Sequence, residues 1–272
     1  MSWFQRKCPV RAEEQEWVER SMHWLRAQFG TAALYRDVLL PAAELFPHPY
    51  DGTPANAREV LGLVCHQMDL DPDDVDLELM VDDATAERPD HTPAAGTVIT
   101  GALAGWSRGG SYAARSLVSG CDDAATRYRP GSSPARVAVS SDLAHRPLLL
   151  LAALAHQVGH VRLLREQRVT AGQRDHEPLA DLLSVFFGLG IFAANAAVEF
   201  FNRNSGFQTY RLGYLTEPML GYALAYYAWL RGEPRPHWLD HLDINPKVFA
   251  KRGLKYLRSR DSTADRSSLK FD

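Results

Sequence analysis

The stretch Leu151–Asp181, LAALAHQVGHVRLLREQRVTAGQRDHEPLAD, decides how this chain is read. Its first part continues the run LLLLAALA from Leu148 to Ala155, apolar on every side, which predicts a helix buried all round at the centre of a domain. Ser141 or Asp142 leads into that helix, with Pro147 in its first turn. The helix carries His156 and His160, one turn apart. A polar loop follows, and then a second helix bears Glu177 and Asp181, again one turn apart.

Each spacing has a chemical purpose. Side chains four apart project from the same helix face, so both imidazoles can reach one ion without distorting the helix. Glu177 completes a two-histidine, one-carboxylate set that leaves a fourth position for water, as catalytic zinc sites do. Asp181 is placed to accept the free ring N–H of a ligand histidine and set its tautomer. Gly159, directly before the second histidine, lets a neighbouring element approach closely.

Spacing alone is weak evidence. Ten histidines in 272 positions give roughly 0.4 HxxxH pairs by chance. A second such pair, His237 and His241 in PHWLDHLD, has no buried helix and no acidic pattern downstream, and reads as surface histidines. The first pair stands apart through the apolar helix around it and the ExxxD behind it. The plain alternative is two core histidines satisfied by hydrogen bonds and two carboxylates that cap or face water.

AHQVGH with EPLAD resembles the gluzincin branch of zinc metallopeptidases, whose signature is HExxH followed on a later helix by a glutamate ligand and an aspartate four residues on. The specific match covers about Leu148 to Asn195. By that resemblance His156, His160 and Glu177 hold Zn2+ and Asp181 supports them. The departure is Gln157, which stands where the family has its general base. A glutamine keeps the shape and hydrogen-bonds a water, but its amide cannot take a proton. Losing a positioned base costs about 10²- to 10⁴-fold in rate, so metal binding should survive while peptidase turnover is nearly lost.

His176 adjoins Glu177, and neighbours on a helix point about 100° apart, which predicts that it faces away from the metal. Tyr210 and Tyr214 are candidates to stabilise an oxyanion, set against the plainer reading of aromatics that pack. The expected function is therefore a zinc-binding metallopeptidase-like protein, peptidase-inactive or impaired, that binds a peptide or protein. The alternative is an active zinc peptidase or amidase, or an inactivated Glu→Gln variant of one. An empty, purely structural site is the third reading.

Composition bounds these readings. The chain is 46% hydrophobic and 23% charged, as a folded globular protein is. A net charge of -3 and scattered arginines offer no field for nucleic acid or anionic lipid. Cys8, Cys65 and Cys121 are far apart and lack CxxC spacing, which points to a reducing compartment. The N-terminus becomes charged before an apolar signal core can form, and the cytoplasm is the expected location. Leu182–Val198 is uncharged and slightly short of a membrane span; its Ser184, Gly188, Gly190 and Asn195, and the acids before it, favour a buried helix. The sequence does not select an oligomeric state.

The rest of the chain supplies the frame. Arg11–Gln28 reads as an amphipathic helix ended at Gly30, Leu34–Leu40 as a short strand closed by Pro41, and Thr53 as the N-cap of a helix running to about Met68. DLDPDD at 69–74 lacks the central glycine and final glutamate of a calcium loop. Val75–Val81 alternates like an edge strand. TVITGALAGW and SYAARSLV, joined at Ser107–Gly110, and Arg136–Ser140 read as further strands; GWSRGG matches neither phosphate-binding glycine pattern. Phe200–Gly213 is polar with aromatics, Glu217–Leu230 is a buried helix ended at Gly232, Asn245–Leu257 is a last helix with a basic face, and Arg258–Asp272 is expected to be disordered.

The fold expected is α+β and zincin-like: an N-terminal mixed or antiparallel sheet with flanking helices over 1–140, then a helical metal-site region over 141–232, continuous with the first. Residues 233–272 form a C-terminal extension with one short helix and a disordered tail.

Overall fold

A computed structural model describes residues 7–46, 49–80, 134–197, 199–203, 206–210 and 213–268, with backbone alone at 80, 140, 199–203, 206–210 and 262–268. The sequence-predicted strands at 97–106 and 111–118, the loops around them, Cys121 and residues 269–272 lie outside that description.

The described chain is mostly helical, with a small sheet component, so it is α+β in the broad sense. Its helices are α1 (Ala12–Leu34), α2 (Pro54–Gln67), α3 (Ser141–Ala144), α4 (Pro147–His160), α5 (His176–Phe186), α6 (Gly190–Ala196), α7 (Glu217–Leu230) and α8 (Ile244–Ser268). Its strands are β1 (Val75–Met80), β2 (Ala135–Ser140), β3 (Glu199–Arg203) and β4 (Gly206–Tyr210). Thr53 and Thr216 cap α2 and α7 by accepting from Asn56 N and Met219 N, and a proline follows closely in each.

Helix α4 is the centre, packed by α2, α5, α6 and β2. Leu149 to His160 are all buried, as the all-round apolar pattern requires. The axis then continues through a π-helical turn, Val161–Arg165, a wider turn of the kind often found beside functional sites. Arg162 there is 7% exposed. It donates to the carbonyls of Met68 and Asp69, pairs with Glu166 and lies over the rings of Phe29 and Phe187. It therefore joins the end of α4 to the end of α2 and to α1.

Several expectations change in the structure. The predicted mixed or antiparallel N-terminal sheet is, among the described residues, a parallel pair, β1 on β2, in register from Val75↔Ala135 to Met80↔Ser140. Leu34–Leu40 is not a strand. Leu34 ends α1, which breaks at Gly30 (φ 85°, ψ 166°) and turns helical again beyond it. Residues 37–40 run extended without a ladder, held where Leu39 N donates to Gly188 O and Gln67 Nε2 donates to Asp37 O and Phe187 O.

Within Phe200–Gly213, read from the sequence only as polar with aromatics, lies most of an antiparallel hairpin, β3 on β4. The last helix runs on to Ser268, so most of the tail expected to be disordered is helical. Its register holds because α7 and α8 cross closely at Gly221 and Gly253, where an added Cβ would fall 2.4 Å from Phe249 Cβ and 2.6 Å from Ala225 Cβ.

The apolar run 182–198 is not one helix. Gly188, at φ 80°, separates α5 from α6. Among the described residues one helical stretch is long and apolar enough to cross a membrane, Pro147–Arg165, and 83% of its apolar window is buried inside the protein.

Helices α1, α7 and α8 are tied through Glu19, whose Oε1 accepts from Gln15 Nε2 (2.8 Å), Tyr222 OH (2.5 Å) and Arg260 Nη1 (2.7 Å). Burial alone would raise this carboxyl, but the three hydrogen bonds and the Arg260 charge hold it below its ordinary 4.5. A lowered folded-state value contributes stability above the unfolded value, and that contribution disappears as pH falls through the folded one. Glu19→Gln should therefore be less stable than the parent near neutrality, with the gap closing below about pH 4. Urea unfolding at both pH values checks this, and a gap unchanged by acid counts against it.

Candidate metal centre

Helix α4 presents His156 and His160 from one face, and α5 presents Glu177 and Asp181 against them. The two helices approach closely because Gly159 has no side chain: a Cβ there would lie 3.1 Å from Ala180 O and 3.3 Å from Ala180 Cβ. The expected role of that glycine is met by α5. All four site residues are buried, between 3% and 8% exposed.

Three donor atoms face one another. His156 Nε2 and His160 Nε2 are 3.1 Å apart, His160 Nε2 is 3.1 Å from Glu177 Oε2, and His156 Nε2 is 3.3 Å from the same oxygen. An ion bound tetrahedrally at about 2.0–2.1 Å holds its ligands roughly 3.3 Å apart. The near-equilateral triangle has the size of one face of such a site, and His156, His160 and Glu177 form a group able to hold a metal ion.

Protons satisfy this triangle poorly. His156 Nδ1 lies 2.7 Å from Asp181 Oδ1. Asp181 Oδ2 already accepts the backbone N–H groups of Tyr214 (2.5 Å) and Leu215 (2.8 Å). With both Asp181 oxygens accepting, Nδ1 of His156 is the donor and its Nε2 presents a lone pair to the centre. A cation satisfies that lone pair together with the Glu177 oxygen. Burial pushes the Glu177 carboxyl up, but the two imidazoles packed against it outweigh burial and hold it far below the usual carboxylate range.

Asp181 makes the ring N–H contact that the sequence reading placed there, and the backbone also holds it. Gly213 adopts φ 84°, and a Cβ there would fall 2.9 Å from both Asp181 oxygens. Only glycine lets the chain pass so close to the carboxylate and then aim two N–H groups at it.

Two further groups border the centre. Tyr214, 48% exposed, lies with its ring parallel to His156 at 5.9 Å and stands between that imidazole and solvent. The side chain of Tyr210, the other oxyanion candidate, lies outside the described residues. His176 does not face away. Its Nδ1 donates to Gln173 O (2.7 Å), its ring meets that of His160 edge to face at 5.6 Å, and its Nε2 is 3.5 Å from Glu177 Oε1. The angular argument fails because His176 is the first residue of α5, at the end of an irregular loop that turns the ring back over the site.

Gln157 is on α4 between the two histidines and is 3% exposed. The second histidine pair, His237 and His241, is exposed on a short 3₁₀ turn, as its surroundings suggested.

Comparison with protein-family models, with curated proteins and with solved structures finds no match to this chain.

Gly213→Ala should destabilise the protein by about 2–4 kcal/mol, combining an unfavourable φ with overpacking against Asp181; thermal or urea unfolding measures it. Asp181→Asn should weaken metal binding by about 10- to 100-fold, read by competition with a chelator. An unchanged affinity would remove Asp181 from the site.

Proposed function

We propose that this protein is a zinc-binding, metallopeptidase-like protein in which Gln157 replaces the general base, and that it binds a peptide or protein with peptidase activity lost or impaired. The observation that carries the reading is the buried triangle of His156, His160 and Glu177, with Asp181 orienting one imidazole from behind. Two imidazoles and one carboxylate are the donor set of open zinc sites, and zinc suits this mixed nitrogen and oxygen set without preferring a particular geometry. The arrangement of α4 and α5, with β2 packed on α4, supports a zincin-like fold.

In this reading the metal supplies Lewis-acid polarisation of a carbonyl oxygen when bound. The chain's own residues do the rest. Asp181 holds His156 in one tautomer, Glu177 adds a negative charge that retains a dication, and Tyr214 offers an aromatic face at the rim. Gln157 donates or accepts a hydrogen bond but carries no proton between water and a leaving amine.

A second reading, a working zinc peptidase or amidase, draws on His176. Its Nδ1–H is occupied by Gln173 O, which leaves Nε2 as an acceptor beside Glu177. Among the described residues it is the imidazole that borders the centre outside the ligand triangle.

Metal analysis of protein purified without added zinc should find about one zinc per chain, lost on His156→Ala. No stoichiometric metal in the parent would sink both readings. A peptidase assay then separates them: cleavage by Gln157→Glu alone supports the first, while turnover by the parent that His176→Ala removes supports the second.

A further inference from the structure

Away from the metal centre, the segment Lys7–Pro9 runs beside α8, and the two enclose a cleft of about 430 Å³ lined by Lys7, Cys8, Pro9, Arg252 and Lys255. Three of these five residues are cations, and no carboxylate is among them. Arg252 and Lys255 are three apart on α8 and project to the same side, and Lys7 of the N-terminal segment lines the same cleft. In a chain of net charge -3, such a one-sided lining is a local exception.

Among the described residues these cations are also left unneutralised. No ion pair or hydrogen bond engages the side chains of Lys7, Arg252 or Lys255 among the described residues. The carboxylates whose charge reaches Cys8, those of Glu14 and Glu19, are already bound by Arg11 and Arg260, each at 2.7 Å. Among the described residues the nearby acids are thus already paired, and the cleft is a positive concavity, where low-dielectric walls concentrate the field.

We propose that this cleft is a binding site for a small phosphorylated molecule, with the phosphate group held by Arg252, Lys255 and Lys7. The guanidinium matches two phosphate oxygens at once, and the lysines add point charges on either side. The cleft falls in the size range of small-molecule sites, about 300–1,000 Å³, so there is room for more than the phosphate. Cys8 supports the assignment. Burial pushes its thiol above the ordinary value, so it stays neutral and adds no negative charge to the floor of the cleft. This site is independent of the metal centre and of the function proposed for it.

The test uses the full chain and pyrophosphate as the probe, titrated calorimetrically at about 0.15 M salt, where diffuse surface attraction is largely screened. Saturable binding at one site per chain is expected, weakened about tenfold or more by Arg252→Ala and by Lys255→Ala. Both side chains are exposed, so neither change disturbs the core. Lys251→Ala, an exposed cation on the same helix outside the cleft, should leave binding unchanged. Alkylation of Cys8 by N-ethylmaleimide, followed by peptide mass spectrometry, should slow when pyrophosphate is present. Absence of saturable binding overturns the proposal, and so does an equal loss in Lys251→Ala, which would mean undirected attraction. Binding to phosphatidic acid vesicles without binding to pyrophosphate would also overturn it, in favour of a membrane surface.

Discussion

The carboxylate of Asp181 is the point on which the site depends. It takes one N–H from the imidazole of His156 on α4 and two from the backbone of Tyr214 and Leu215, at the entrance to α7, while itself belonging to α5. Three separate parts of the chain are therefore registered on one buried anion. Such an anion is costly unless it is fully hydrogen-bonded, and here each donor it acquires also positions something. The imidazole bond turns His156 Nε2 to the centre, and the backbone bonds bring Tyr214 over the same ring.

That arrangement needs α4 and α5 close together, and small residues make the approach possible. Gly159 lies against Ala180, so the turn bearing His160 sits directly on the turn between Glu177 and Asp181. The same device recurs where α7 crosses α8 at Gly221 and Gly253. On the far side of α4, Arg162 gathers the carbonyls at the end of α2 and the rings of Phe29 and Phe187 around the π-helical turn. The centre is thus built on the C-terminal end of α4, held by α5 on one side and by Arg162 just beyond it, a rigid support suited to holding ligands in place.

Legibility in the sequence followed the range of the physics involved. His156, His160, Glu177 and Asp181 were legible because helical periodicity is local: a spacing of four puts two side chains on one face whatever the rest of the chain does. The cap at Thr53 was legible for the same reason. The Asn-Ser-Gly between two aromatic-bearing runs at 200–210 was a hairpin signal passed over. His176 departs from the ideal helix angle because it is the first residue of α5, where the loop Gln173–Asp175 sets the side chain. Leu34–Leu40 looked like a strand, yet its hydrogen bonds go to Gly188 and Gln67, partners far along the chain that no local pattern names.

By itself, then, the sequence determined a buried helix with two histidines on one face, an acidic pair one turn apart on the next helix, and a glutamine between the histidines where the resembled family has a base. Those are properties of neighbours in the chain. Only the tertiary structure decided that the donors converge to 3.1–3.3 Å, that Gly213 lets the backbone grip Asp181, and that His176 turns inward. It also gathered Lys7, Arg252 and Lys255, from opposite ends of the chain, around one cleft. Convergence of that kind depends on how close two packed surfaces can come, and that is set by the side chains missing from glycines and by the buried charges that must find partners.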